Sequence, residues 1–285
     1  MTTPIITVIG SVNLDFVATA EKLPSPGETV SGATLARHPG GKGANQALAA
    51  RRLGASVHLI ARTGEDALAV EALALLRKEG VELGRCLGDP DAATGVALIA
   101  VARDGENQII VAPGANAAFL PEGLSGVIEG ALICQLELPV ATLAAGVGQA
   151  RGFVCLNLAP AISVPATLLE RADLIVVNQG EADFYGSLLH DGPGLVAVTL
   201  GARGAMLYRG GAVIAAASAP KVRAIDTTAA GDCFVAALTL ALVEGQSHER
   251  ALGFACAAGA LTATRAGAQP SLPSRAEVEA LLATS

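Results

Sequence analysis

Residues 226–238 read DTTAAGDCFVAAL. A carboxylate, Asp232, stands at the head of a long apolar run, and Ala229, Ala230 and Gly231 come just before it. Side chains this small leave successive backbone N–H groups open, at the positive end of the helix expected over CFVAALTLALV. No bulk would keep a phosphate from that anion hole. Asp232 beside it suits a general base that takes a proton from an attacking hydroxyl. An Asp that merely caps a buried helix would look the same. The two readings are separated only by what else the chain brings to that place.

Outward from this stretch, the chain alternates. IITVIG (5–10), SVHLIARTG (56–64), ALICQLEL (131–138), FVCLNLA (153–159), DLIVVN (173–178) and LVAVTLG (195–201) are apolar, β-branched runs of strand length. GANQALAARRLGA (43–55) and DALAVEALALLRKEG (66–80) read as helices closed by Gly54 and Gly80. Continuous apolar strands between helices predict a mostly parallel sheet covered on both faces. Two stretches break the rhythm. Residues 16–37 carry turn signals at Pro24, Pro26 and Gly27, and 94–114 read as a hairpin around RDGEN. Both are expected in a separate, smaller sheet.

The totals exclude several classes. The 285 residues carry a net charge of −7 without a basic run, which argues against nucleic acid and anionic membranes as partners. The five cysteines, Cys86, Cys134, Cys155, Cys233 and Cys256, are odd in number and form no C-x-x-C, so neither a disulfide framework nor a zinc cluster is expected. The beginning, MTTPIITVIGSV, lacks the basic region of a signal peptide, and no apolar run reaches membrane-helix length. The expectation is a cytoplasmic protein. His38, His58, His190 and His248 are scattered without ligand spacing and read as structural or surface residues.

Several motifs fall at strand ends or loop-to-helix junctions. HPGGKGANQA (38–47) fails the Walker pattern, since Ala36 replaces its first Gly and Gly43 its Ser/Thr. Its glycines still allow close approach of backbone to a ligand at a helix start. GPGLVA (192–197) matches G-x-G-x-x-A but precedes a strand instead of following one, and so reads as a loop. In GSVNLD (10–15), Asn13 and Asp15 alternate on an extended segment and share a face, where they could grip vicinal hydroxyls. Glu137 ends a strand, and Asn178 and Glu181 in NQGE follow another; such ends collect ligands in open α/β sheets. Each has a plainer use as a turn residue.

Taken together these stretches resemble the ribokinase family, the PfkB-type sugar kinases. PSPGETVSG, GGKGANQALAARRLGA, TGVALI, GANA, QLEL, TLGARG, DTTAAGD and GAQPSLP follow family segments in family order over nearly the whole chain. The resemblance implies one α/β kinase domain over residues 1–285, with a central mostly parallel sheet and a small β-sheet lid from 16–37 and 94–114. It implies phosphoryl transfer from ATP–Mg2+ to the 5-hydroxyl of D-ribose. 2-Deoxyribose, another sugar or a nucleoside is the alternative acceptor, and a sugar-binding regulator without turnover is the alternative of another class. A nicotinamide-dependent oxidoreductase lacks its glycine fingerprint after the first strand.

By resemblance, Asn13, Asp15, Gly41, Lys42, Asn45 and Glu137 match sugar-binding positions. Asn178, Thr199, Leu200, Gly201, Ala202, Arg203, Gly204 and Cys256 match nucleotide-binding ones. Glu181 matches the acid that holds magnesium indirectly, and Gly231 and Asp232 match the anion hole and the base. Asp226, Thr228, Thr262, Arg265, Gly267 and Ser271 match a site for K+ as monovalent activator. A homodimer through the lid is also implied. Four departures stand out. Gly180 is expected to loosen the NQGE turn, and the stretch between Asn178 and Thr199 is shorter than the family's and expected to lack a helix. Cys256 replaces a His beside the adenine, and Ala236 replaces the usual Gly after the base.

Overall fold

The apolar runs need cover on two sides, and the chain provides it by crossing back and forth over one sheet. The computed structural model describes residues 3–284. Along the chain, β1 (Ile5–Ile9) leads into β2 (Asn13–Ala20), β3 (Thr34–Gly40), α1 (Lys42–Arg52) and β4 (Ser56–Gly64). The helices α2 (Ala67–Ala72) and α3 (Ala74–Lys78) precede β5 (Glu82–Asp89), and β6 (Gly95–Ala102) turns back as β7 (Asn107–Ala112). There follow β8 (Ala131–Gln135), α4 (Val140–Gln149), β9 (Val154–Asn157), α5 (Ala166–Glu170), β10 (Leu174–Asn178), α6 (Gln179–Tyr185) and β11 (Leu195–Thr199). The hairpin β12 (Ala205–Arg209) and β13 (Ala212–Ala217) precedes α7 (Ala230–Val243), α8 (His248–Thr262), α9 (Ala268–Ser271) and α10 (Arg275–Ala283).

The large sheet runs β13-β12-β11-β10-β9-β8-β1-β4-β5. All pairings from β11 to β5 are parallel, and the β12–β13 hairpin adds an antiparallel edge. Alternate strand residues enter opposite cores. Val8, Ile133 and Cys155 face the Ala/Leu-rich helices α1, α7 and α8. Ile9, Leu132 and Leu156 pack with Leu143 and Leu168 from α4 and α5. The strand order reverses between β1 and β8, which opens a crevice at their C-terminal ends.

A second sheet, β3-β2-β6-β7, stands apart from the first. Its strands begin earlier and end later than the 16–37 segment suggested, since β2 starts at Asn13 and β3 runs to Gly40. The helix expected over 66–80 is divided at Leu73, although Leu73 N–Ala69 O and Arg77 N–Leu73 O bonds of 3.0 Å bridge the break. The strand expected over 131–138 ends at Gln135, so Glu137 lies in the turn beyond it. Among the described residues, no helix is long and apolar enough to cross a membrane.

The head of α1 is pressed onto the end of β1. A Cβ on Gly43 would lie 2.4 Å from the carbonyl carbon of Gly10 and 2.6 Å from its Cα, so two backbones touch where a side chain has no room. Ala44 N then donates to Ser11 O at 2.9 Å. Gly253, inside α8, meets nothing within 4 Å. Gly43→Ala should therefore destabilise the protein by ~1–3 kcal/mol or more through overpacking against an unyielding backbone. Gly253→Ala should stabilise it by ~0.5–1 kcal/mol through helix propensity. Urea unfolding of the two variants checks the opposite signs.

Candidate active site

Two helix N-termini meet at the crevice. The first belongs to α1, whose cap is Gly41 with φ 89°, a left-handed conformation that glycine adopts without strain. Oε2 of Glu137 accepts from Lys42 N at 3.1 Å and from the Ser11 hydroxyl, which ties the turn after β8 to the head of α1. Asn13 and Asp15 project from β2 beside it and are both buried. Asn116 holds Asn13 in place: its Nδ2 donates to Asn13 Oδ1 at 2.8 Å and to Val12 O at 3.1 Å, while its Oδ1 accepts from Val12 N. Neither Ser11 nor Asn116 was singled out in the sequence. The only signal for Asn116 was its place in GANA.

The second N-terminus is that of α7. The helix begins at Ala230, so the AAGD stretch forms its cap and first turn instead of preceding it. Ala229 caps it in the left-handed region at φ 61°, a strained conformation for a residue with a Cβ and one common at functional sites. No side chain caps this helix, and among the described residues the amides of Gly231 and Asp232 find no acceptor. A Cβ on Gly231 would meet nothing within 4 Å, so the space beside it is open. Asp232 is buried and does not cap its own helix. Its Oδ2 accepts from Asn45 Nδ2 at 2.9 Å and its Oδ1 from Gln46 Nε2 at 2.9 Å. Asn45 Oδ1 is buried and unpartnered. Gln46, with Gln135 and Asn157 behind it, was missed in the sequence, although Gln46 sits inside GGKGANQA.

Between the helix heads lies a cavity of ≈ 210 Å³ bordered by Lys42, Asn178, Glu181, Thr199, Gly231 and Asp232, among others. Here two expectations are corrected. The NQGE turn is not loosened: Asn178 Oδ1 accepts from Glu181 N at 2.9 Å and Glu181 Oε2 from Asn178 N at 2.7 Å, a complete capping box. These two reciprocal bonds fix the turn, so Gly180 is free to be any small residue. The following stretch does contain a helix, α6, and a 3-10 turn at Gly186–His190. The run 199–204 leaves the cavity at Thr199, turns at Gly201–Arg203 and is anchored where Arg203 donates to Gln179 Oε1 at 2.6 Å. Gly204 has no room for a Cβ, which would lie 2.0 Å from Ala217 O. Cys256 is buried on α8 with its thiol 3.8 Å from Ala217 O, beside the edge hairpin and outside the cavity lining.

The remaining predicted residues cluster in two loops next to α7. Asp226 Oδ1 accepts from the amide and hydroxyl of Thr228, and Oδ2 from Gly267 N at 2.8 Å. Ile225 N and Asp226 N both donate to Ala263 O. Arg265 pairs with Glu277, and the hydroxyls of Thr262 and Ser271 bond back to their own helices. Among the described residues, no group of three or more His, Cys, Asp or Glu is placed to hold a metal.

Charge is crowded here. Burial, reinforced by Glu137 and Asp232, pushes the Asp15 carboxyl up to about 7. Burial also raises Asp232, opposed by Lys42, Asn45 and Gln46. Lys42 is held firmly as the ammonium, chiefly by Asp232. Burial raises Glu181 as well, against its bond from Asn178 and the charge of Lys42. Burial pushes Asp226 up too, but hydrogen bonds from Thr228 and Gly267 outweigh it and hold that carboxyl below its ordinary range. An acid whose folded pKa lies above its unfolded value costs stability once pH rises past the unfolded value, and the cost levels off above the folded one. Asp15→Asn should thus raise the unfolding free energy of the free protein by at least about 1 kcal/mol at about pH 8, with the gain fading towards about pH 4. Denaturant melts across that range measure it.

Comparisons with known proteins bear on the fold and the family. A family model for the pfkB family carbohydrate kinases matches residues 4–275. The chain is 37% identical to the ribokinase of Haemophilus influenzae over 298 aligned residues, covering 95% of this chain and 96% of that protein. It is 35% identical to the ribokinase of Bacillus subtilis, covering 97% and 99%. The structure of Arabidopsis thaliana ribokinase complexed with ribose and ATP superimposes with a TM-score of 0.86 at 32% identity, covering 100% of both chains. Thermotoga maritima ribokinase gives a TM-score of 0.88 at 33% identity, covering 98% of this chain and 99% of that one. A family model matched over almost the full length means that this chain belongs to the pfkB family of carbohydrate kinases.

Proposed function

We propose that the protein is an ATP-dependent ribokinase, transferring the γ-phosphoryl group of ATP to the 5-hydroxyl of D-ribose. The observation that carries the reading is Asp232: a buried carboxylate gripped by two amides, set in the uncapped first turn of α7 and bordering a cavity with Lys42. The relatives named ribokinase, matched along nearly their whole length, supply the sugar.

In this reading Asn13, Asp15, Gly41, Lys42, Asn45 and Glu137 surround ribose. Asn13 Oδ1 is occupied by Asn116, so its Nδ2 is left to donate to a hydroxyl, while Asp15 accepts from one. The unpartnered Asn45 Oδ1 is a further acceptor. Asp232 takes the 5-hydroxyl proton as that oxygen attacks the γ-phosphorus; the new O–P bond forms, the bond to the β-phosphate oxygen breaks, and ADP leaves. The free amides of Gly231 and Asp232, with Ala229 and Ala230 shaping the turn, receive the negative charge of the transferring group. Asn178, the 199–204 run and the α8 face near Cys256 serve the nucleotide. Magnesium bound to the triphosphate neutralises phosphate charge, and Glu181, whose Oε1 is not used by the capping box, would hold its water shell. The 16–37 and 94–114 segments act as the lid. A second copy of the chain is the proposed cover for its apolar residues, Leu35 and Ile110 being 67% and 68% exposed.

The test is ADP release over a panel of pentoses, hexoses and nucleosides. Ribose should give the highest kcat/KM, and Asp232→Asn should lower kcat by ~10²–10⁴ while ribose affinity changes far less. Near wild-type turnover by that variant would remove Asp232 from the mechanism.

We also propose K+ as an activator bound at the 225–228 and 262–271 loops. Their main-chain ties and the ionised Asp226 support it, since oxygen ligands with one carboxylate suit a monovalent cation. The ion would brace the loop before AAGD without touching substrate. Turnover should be higher in K+ than in Na+ or in neither at constant ionic strength, with the response blunted in Asp226→Asn. Identical rates in the three buffers would exclude it.

A further inference from the structure

We infer that Gln46 is a positioning residue for the base: its amide is locked in the one orientation that donates to Asp232, through a relay anchored on the main-chain oxygen of Val176. The inference rests on the reading of Asp232 as the base and adds Gln46, which is fully buried and does not border the cavity between the two helix heads.

The orientation follows from the relay itself. A main-chain carbonyl only accepts, so Asn157 must turn Nδ2 towards Val176 O, at 3.1 Å. Asn157 Oδ1 then faces Gln46, which must present Nε2, at 3.0 Å. The same Nε2 stands 2.9 Å from Asp232 Oδ1. On the far side, Gln46 Oε1 accepts from Gln135 Nε2 at 2.6 Å. Flipping the Gln46 amide would set its oxygen against two acceptors, Asn157 Oδ1 and Asp232 Oδ1; Gln135, whose Oε1 has no partner, follows the orientation that they impose. In a buried site each such mismatch is expensive. Gln46 and Gln135 are 0% exposed, Asn157 8% and Asp232 7%, so water has little access to repair one.

The relay joins β10, β9, α1 and β8 to the head of α7. Its chemical effect is on the ionised form of Asp232, which gains a charge-assisted donor. The charged and titratable groups facing Asp232 are Lys42 on α1, Glu137 after β8, Asp15 on β2 and the neighbouring Cys233 thiol. All of them persist when Gln46 is changed. Removing the donor therefore shifts the balance towards the protonated, inactive acid without altering the charges around it.

The experiment compares Gln46→Met, Gln46→Glu and Asp232→Asn with wild type, using ATP, magnesium and ribose between about pH 5 and 9, with thermal unfolding to confirm folding. The acid limb of log kcat reports ionisation of the base in the ternary complex. Gln46→Met should move that limb up by about one pH unit or more, so that kcat falls roughly tenfold below the limb and largely recovers above it. KM for ribose and for ATP should stay within about threefold, because the residue acts through Asp232 and not on either ligand. Gln46→Glu keeps the shape, sets a second carboxylate against the first and should move the limb further. It decides the matter if the Met variant does not fold. A limb that stays in place in the folded variants, with any loss uniform across pH or confined to KM, overturns the relay. Inactive Asp232→Asn beside a wild-type profile for the Gln46 variants overturns the relay alone. An active Asp232→Asn overturns the base assignment on which it stands.

Discussion

A carboxylate cannot be buried alone, and much of this structure is arranged around that constraint. Asp232 is taken out of water and its burial resists ionisation, yet in the role of base proposed for it the carboxyl must be ionised to act. The fold answers with one ammonium, Lys42, and two amide donors, Asn45 and Gln46, all from the first turns of α1. That supply works only if the head of α1 is held against the head of α7. The contact of Gly43 with Gly10 is what permits it, because any side chain there would lift the helix away from β1.

The sheet topology explains why the two helix heads meet where they do. Strand order reverses between β1 and β8, so the crossovers on either side diverge and leave the crevice uncovered. Asn13 and Asp15 reach the crevice from the small sheet, Glu137 from the turn after β8, and Asn178 and Glu181 from the end of β10. Elements distant in sequence thus share one small volume. Burial makes Asp15 and Asp232 harder to ionise, the charge of Glu137 adds to that cost at both, and Lys42 opposes it at Asp232. Burial, with Glu137 and Asp232 nearby, pushes the Asp15 pKa up to about 7 in the free protein. In the proposed reading, a ligand whose hydroxyls donate to it relieves part of that cost on binding, which couples recognition to the electrostatics of the crevice.

Much of the strain and openness lies at the head of α7. Ala229 is held left-handed, the α7 amides are uncapped and Gly231 faces open space. These features cost the free protein stability and, in the proposed reading, make sense together as preparation for an anion. Asn178 and Glu181 are different: they satisfy each other in a capping box, and only the remaining carboxylate oxygen is left for work outside the helix.

What the sequence determined by itself was the alternation and its chemistry. Runs such as IITVIG and DLIVVN are too apolar to lie anywhere but inside a two-sided sheet, and PGGKGANQ and AAGD lack the side chains that would block backbone from a ligand. Asn13, Asp15, Lys42, Asn178, Glu181 and Asp232 were legible because they are polar residues at the ends of apolar runs. Local pattern went wrong where reciprocal bonds overrule propensity: Gly180 looked like a weak point, but the Asn178–Glu181 capping box fixes the turn regardless. Only the tertiary structure decided the partners. Gln46, Gln135 and Asn157 belong to a helix and two strands whose contact no local pattern encodes, and an amide's orientation depends on the acceptor it finds, here the main-chain oxygen of Val176. Chemistry that resides in one side chain can be read from the chain; chemistry that resides in a hydrogen bond exists only once the fold has brought donor and acceptor together.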